Sequence, residues 1–98
     1  MYAVARRYKT TASFDEINKK VQAGFVPLLK SIKGFRAYRT VNLGGGMVGS
    51  FSLFDDKSGA DASTQKAREW VASDPWVKKA FPEAPETSGG EVGLNITA

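Results

Sequence analysis

The chain contains no histidine and no cysteine. Without histidine there is no Ser-His-Asp triad, no histidine-ligated haem and no zinc site of the ordinary kind. Without cysteine there is no disulfide, no thiolate metal site and no cysteine nucleophile. A general base, if one is used, must be a carboxylate, a lysine, a tyrosine or a bound water. Long apolar runs are also missing. Nothing approaches the roughly 18 residues of a membrane span, and the opening MYAVARRYKT lacks the apolar core of a secretion signal. These absences predict a cytoplasmic protein with no membrane partner and no metal. The net charge is +4, from 14 Lys+Arg against 10 Asp+Glu. That excess favours an anionic ligand without requiring a nucleic acid.

What is present reads as one domain, residues 1–98. A hydrophobic content of 42% is close to the globular norm and argues against disorder. Residues 2–8 alternate as a strand, with Tyr2, Val4, Arg6 and Tyr8 on one side. Ser13 and Glu16 form a capping box. Phe14, Ile17, Val21, Phe25, Leu28 and Ile32 then recur at helical steps over 14–32. Pro27 predicts a kink or break near 23–27, eased by Gly24, and Gly34 a C-terminal stop. Residues 35–43 and 47–54 alternate on either side of Gly44-Gly45-Gly46, a hairpin. In the first of these strands Phe35, Ala37, Arg39, Val41 and Leu43 share one face, and Arg36, Tyr38, Thr40 and Asn42 the other. Ser58 and Asp61 open a second long helix over 60–73, with Ala60, Ser63, Ala67, Trp70 and Val71 inward. Asp74-Pro75 caps a short helix at 75–80. EVGLNI, 91–96, is read as the last strand.

The order is β-α-β-β-α-β. It predicts an α+β, ferredoxin-like domain whose four-stranded antiparallel sheet carries its helices on one face. The helices cover only that face. The other is partly apolar whichever parity applies, so a second copy of the chain is expected to pair against it as a homodimer.

Three motifs reduce to structure. KGFRAY, 33–38, is close to an RNA-stacking motif, but Arg36 and Ala37 depart from its pattern and the run falls on the second strand rather than the third. Nucleic acid is therefore not an expected partner. Gly44, Gly46 and Gly49 fit G-x-G-x-x-G by spacing, yet a strand follows where a dinucleotide site needs a helix. Gly49 is expected at a bulge or a close backbone approach. Asp55-Asp56 lacks a third ligand and reads as a strand exit. Trp70 lies above a helix face of small residues, where it either fills the core or walls a ligand cavity. Arg6, Arg7, Arg36 and Arg39 lie within strands, and one that faces inward needs an anionic partner.

YAVARRY, GFVPLLKSIKGFRAY, the hairpin into SFSLFDD, and AREWV running on to EVGLNI together resemble stand-alone members of the dimeric α+β barrel superfamily, in its antibiotic-biosynthesis-monooxygenase-like group. The resemblance implies two sheets facing across a homodimer, and a pocket between helices and sheet. It also implies a cofactor-independent oxygenation of a small aromatic or phenolic compound, with no cofactor. Trp70, Arg39, Tyr38, Asn42 and Arg6 are the ligand-pocket candidates. Trp70 is similar to the helix tryptophan of the haem-degrading branch. Ala80 falls where that branch has its histidine, and the first strand has no asparagine, so histidine-dependent haem degradation is not expected. The alternative is a non-catalytic barrel that binds a small hydrophobic ligand or a protein partner.

Overall fold

The computed structural model describes all 98 residues. Strand β1 spans Tyr2–Lys9, α1 Phe14–Lys20, a π-helical turn Val21–Phe25, α2 Val26–Lys30, β2 Phe35–Gly44, β3 Met47–Phe54, α3 Lys57–Ser73, α4 Pro75–Ala80 and β4 Glu86–Glu91. The strands form one antiparallel sheet in the order β2-β3-β1-β4, the ferredoxin-like topology.

The helix ends follow local chemistry. The Ser13 hydroxyl accepts from the Glu16 N–H at 3.2 Å, closing the capping box. The predicted break is a π turn, in which the Val26 N–H reaches back to the Val21 carbonyl just before Pro27 removes a donor. Beyond that wider turn Leu29, rather than Leu28, takes the fully buried place. Gly34 ends the segment at φ 85°.

Helix α3 starts three residues earlier than the sequence predicts. Its cap is Asp56, whose carboxylate accepts from the Gly59 N–H and the Ser58 hydroxyl, so Ser58 and Asp61 already lie inside the helix. Asp74 caps α4 by accepting from the N–H groups of Trp76 and Val77 at 2.9 and 3.2 Å.

Three strand readings change. The last strand is Glu86–Glu91, not 91–96, because β4 runs antiparallel to β1 and Glu91 already faces Tyr2. One more bond, from the Val92 N–H to the Met1 carbonyl, uses up the end of β1. Leu94 and Ile96 therefore overhang the sheet at 80% and 79% exposure. The register slips at Arg36 and again at Leu43, whereas Gly49 lies in register between Arg7 and Val41. Gly49 is crowded by side chains rather than by backbone: a Cβ there would meet Leu43 and Phe51 at 3.2 Å. The Arg36 bulge moves Phe35 onto the same face as Tyr38, where it packs on Phe54.

Parity then decides the two faces. Val4, Arg6, Val48, Ser50, Ser52 and Phe54 point under the helices and are buried. The core joins this face to Ile17, Val21, Phe25 and Leu29 of the first helical segment and to Ala60, Ala67, Val77 and Phe81. The opposite face presents Ala3, Ala5, Ala37, Val41, Leu43, Phe51 and Leu53, with Arg7 and Arg39 beside them. Val41, Leu43 and Phe51 are each about two fifths exposed there. No helix of the chain is long and apolar enough to cross a membrane.

Candidate functional site

The site is set by small residues on α3. Ala60, Ser63 and Ala67 recur at three- and four-residue steps, so the helix lies close over β1. Beneath it lies Arg6, 1% exposed and the bulkiest fully buried side chain in the chain. Its Nη2 donates to Ser63 Oγ at 3.0 Å and to Thr64 Oγ1 at 2.8 Å. Both hydroxyls pass their own protons to the Ala60 carbonyl, at 2.7 and 3.3 Å, which fixes them as acceptors towards Arg6. Arg6 Nε and Nη1 are buried without a partner. None of the five ion pairs involves Arg6. Burial lowers its pKa, offset in part by Tyr8 and Tyr38, but a guanidinium stays charged in proteins. The result is a buried cation with two hydroxyl contacts and no counter-charge.

Arg6 stands where two spaces meet. One is a narrow chamber of about 20 Å³, room for roughly one water-sized molecule. Its walls include Tyr8, Phe25, Tyr38, Trp70 and Phe81. Phe25 stacks on Trp70 at 5.4 Å between ring centroids and meets Tyr38 edge-on at 5.9 Å. Tyr8 and Phe81 lie 4.7 Å apart. Burial raises both tyrosine pKa values, that of Tyr38 to about 12, so each phenol keeps its proton at neutral pH. The other space is an open groove of about 510 Å³ between α3 and the loop after α4, within the ordinary range of small-molecule sites. Its apolar wall is Ala67, Val71, Phe81 and Pro82, and Arg68 and Lys78 add positive charge. Glu83, also at the groove, pairs with Lys9 at 3.5 Å.

Of the five sequence candidates, the structure brings together Arg6, Tyr38 and Trp70. It does not place Arg39 with them. Arg39 faces Phe51 across the β2–β3 ladder, exposed on the uncovered side of the sheet, since successive strand residues alternate faces. Asn42 is exposed near the hairpin tip, where its Oδ1 accepts from the Gly44 N–H at 3.0 Å and shapes the turn. Trp70 both fills and walls: its indole edge rests on the π turn, where a Cβ on Gly24 would come within 2.6 Å of Nε1. Ala80 is buried in the core and offers no ligand to a metal. No cluster of three acidic, histidine or cysteine residues is present.

Sequence reasoning missed Ser63, Thr64, Tyr8 and Phe81. In the sequence Ser63 reads only as a small residue of the helix face, and Thr64 carries no signal of its own. A signal did exist in β3: SFSLF puts Ser50 and Ser52 on the side opposite Phe51 and Leu53. The covered face therefore holds Ser50 and Ser52 between Val48 and Phe54, while Phe51 and Leu53 lie on the uncovered face.

Solved structures share this architecture. NE2512 of Nitrosomonas europaea, a protein of unknown function, superposes with a TM-score of 0.74 at 18% identity, over 99% of this chain and 93% of that one. A dimeric ferredoxin-like protein from an uncultured marine organism gives 0.76 at 11% identity, over 99% and 98%. SnoaB of Streptomyces nogalater, a cofactor-independent oxygenase, gives 0.71 at 8% identity, over 99% and 97%. These structures share with the chain a ferredoxin-like fold, at identities that carry the likeness no further than the fold. No protein-family profile and no curated protein matches the sequence.

Proposed function

We propose that the protein is a cofactor-independent, monooxygenase-like enzyme that oxidises a small aromatic or phenolic compound between α3 and the sheet, and that it works as a homodimer. One observation carries this reading: a buried guanidinium, short of acceptors, joins an aromatic chamber to an open groove. The likeness in fold to SnoaB supports it. The apolar face left bare by the helices supports the homodimer, as does the dimeric description of a structural neighbour.

The chemistry is balanced without a reductant. An electron-rich phenol, giving up its proton to water in the groove, passes electrons to dioxygen. At a ring CH2 group, one oxygen atom becomes a carbonyl and the other leaves as water with the two hydrogens. Arg6 contributes positive charge in a low-dielectric site, where it acts on an anion far more strongly than in water. Tyr38, held neutral, donates a hydrogen bond to the oxygen that becomes negative. Trp70 and Phe25 wall a chamber with room for a molecule little larger than water, the size that dioxygen requires.

Oxygen uptake with hydroquinones and anthrones tests the proposal. Turnover above the uncatalysed rate is expected, falling roughly 10²-fold in Arg6→Met and measurably in Trp70→Phe. Uptake no faster than background, with both variants indistinguishable from wild type, would refute it.

A second reading, binding without turnover, is favoured by the lack of a base. Tyr8 and Tyr38 hold their protons, and Glu83 is engaged by Lys9. Tight binding of an aromatic ligand with no oxygen uptake would establish it.

A further inference from the structure

We infer that Arg6 is the anchor for a carboxylate carried by the ligand itself, so that the groove selects aromatic acids over their neutral counterparts. The inference rests on the reading of the pocket as a site for a small aromatic compound, and not on oxygen chemistry. A guanidinium offers five N–H donors. Nη2 spends its two on Ser63 and Thr64. The three on Nε and Nη1 have no acceptor, although the side chain is 99% buried and borders both spaces. Leaving a charge desolvated and donors unfilled is unfavourable unless something else completes the shell.

The missing partner must be an anion before it arrives. A phenol is neutral at neutral pH and would need a base to ionise it. The chain has no histidine, the two chamber tyrosines hold their protons, and the one carboxylate at the groove, Glu83, is paired with Lys9. A carboxylate needs no base. The remaining walls fit the rest of such a molecule. Ala67, Val71, Phe81 and Pro82 give an apolar slot for a ring, and Arg68 and Lys78 raise the local concentration of anions.

The experiment is a titration of the whole protein with naphthoate, naphthol and naphthalenemethanol at neutral pH, read by calorimetry. Naphthoate is expected to bind roughly tenfold or more tightly than either neutral compound, with affinity falling as salt is added. Arg6→Met is expected to bind all three alike, with an unchanged or raised Tm, because it removes a buried charge that lacks a counter-ion. Should that variant not fold, Arg6→Lys provides the second arm: it keeps a cation and is expected to retain part of the preference. Equal affinities in wild type, a preference for naphthol, no binding of naphthoate, or a preference that survives Arg6→Met would each overturn the inference. Naphthoate selectivity without oxygen uptake on any substrate would uphold it and refute the oxygenase reading alone.

Discussion

A methyl group added to Gly24 would land 2.6 Å from the indole nitrogen of Trp70. On an open helix surface Gly→Ala stabilises by up to about 1 kcal/mol. Here the sign reverses, because the neighbour is a rigid ring held by Phe25. Gly24→Ala is expected to lower stability by about 1–3 kcal/mol and to shift the tryptophan emission, as denaturant melts followed by fluorescence will show. Tyr8 and Tyr38 give the matching prediction for pH. Both folded pKa values are raised, so their burial stabilises the fold fully below the unfolded tyrosine value near pH 10. That contribution is lost as pH rises towards about 12. Tyrosinate absorbance from these two side chains should appear together with unfolding in that window. If it appears near pH 10 with the fold intact, the two phenols are not buried as described. At this scale the sequence showed residue types but not their directions. Arg6, Tyr38 and Trp70 stood out as bulky or charged groups within a strand or on a lean helix face. Arg39 and Asn42 looked equally suitable, because choosing between faces requires knowing which one the helices cover.

Elements were more legible than side chains. Pro27 and Gly24 marked the π turn, the Ser13–Glu16 box marked the start of α1, and Asp74-Pro75 marked α4, each because a local hydrogen bond or a missing N–H decides the matter. The last strand was misplaced because VGLNI has the apolar alternation of a strand, while Glu86–Glu91 has almost no side-chain signal. Backbone register with β1 places β4, and no composition rule reports that. The caps also carry an acid sensitivity. Hydrogen bonds first lower the carboxyl pKa of both Asp56 and Asp74. Their stabilisation is present above the ordinary carboxylate range, about pH 4, and is lost as pH falls through the depressed folded values. Asp56→Ala and Asp74→Ala should each lower the melting temperature at neutral pH and flatten its decline in acid. Melting curves of equal slope below pH 4 in wild type and variants would contradict the capping account.

The whole molecule divides its sheet between two tasks. The covered face sets Arg6, Tyr38 and Ser50 around the aromatic chamber. The bare face, with Val41, Leu43 and Phe51, holds apolar groups and no cover. Phe51 and Leu53 of β3 turn away from the helices while Val48 and Phe54 turn under them, so the bare face keeps an apolar patch that a second chain is expected to shield. The overhanging Leu94 and Ile96 add apolar surface that one chain alone does not bury. Phe51→Asp, set in the middle of that surface beside Arg39 and Ala5, should yield a folded monomer that keeps the pocket's helical cover. The most direct measurement is light scattering of the wild-type protein at micromolar concentration, with Phe51→Asp alongside. A particle of twice 10.6 kDa that halves in the variant is the predicted result. A well-folded wild-type particle of 10.6 kDa would contradict the division of the sheet on which the functional reading stands.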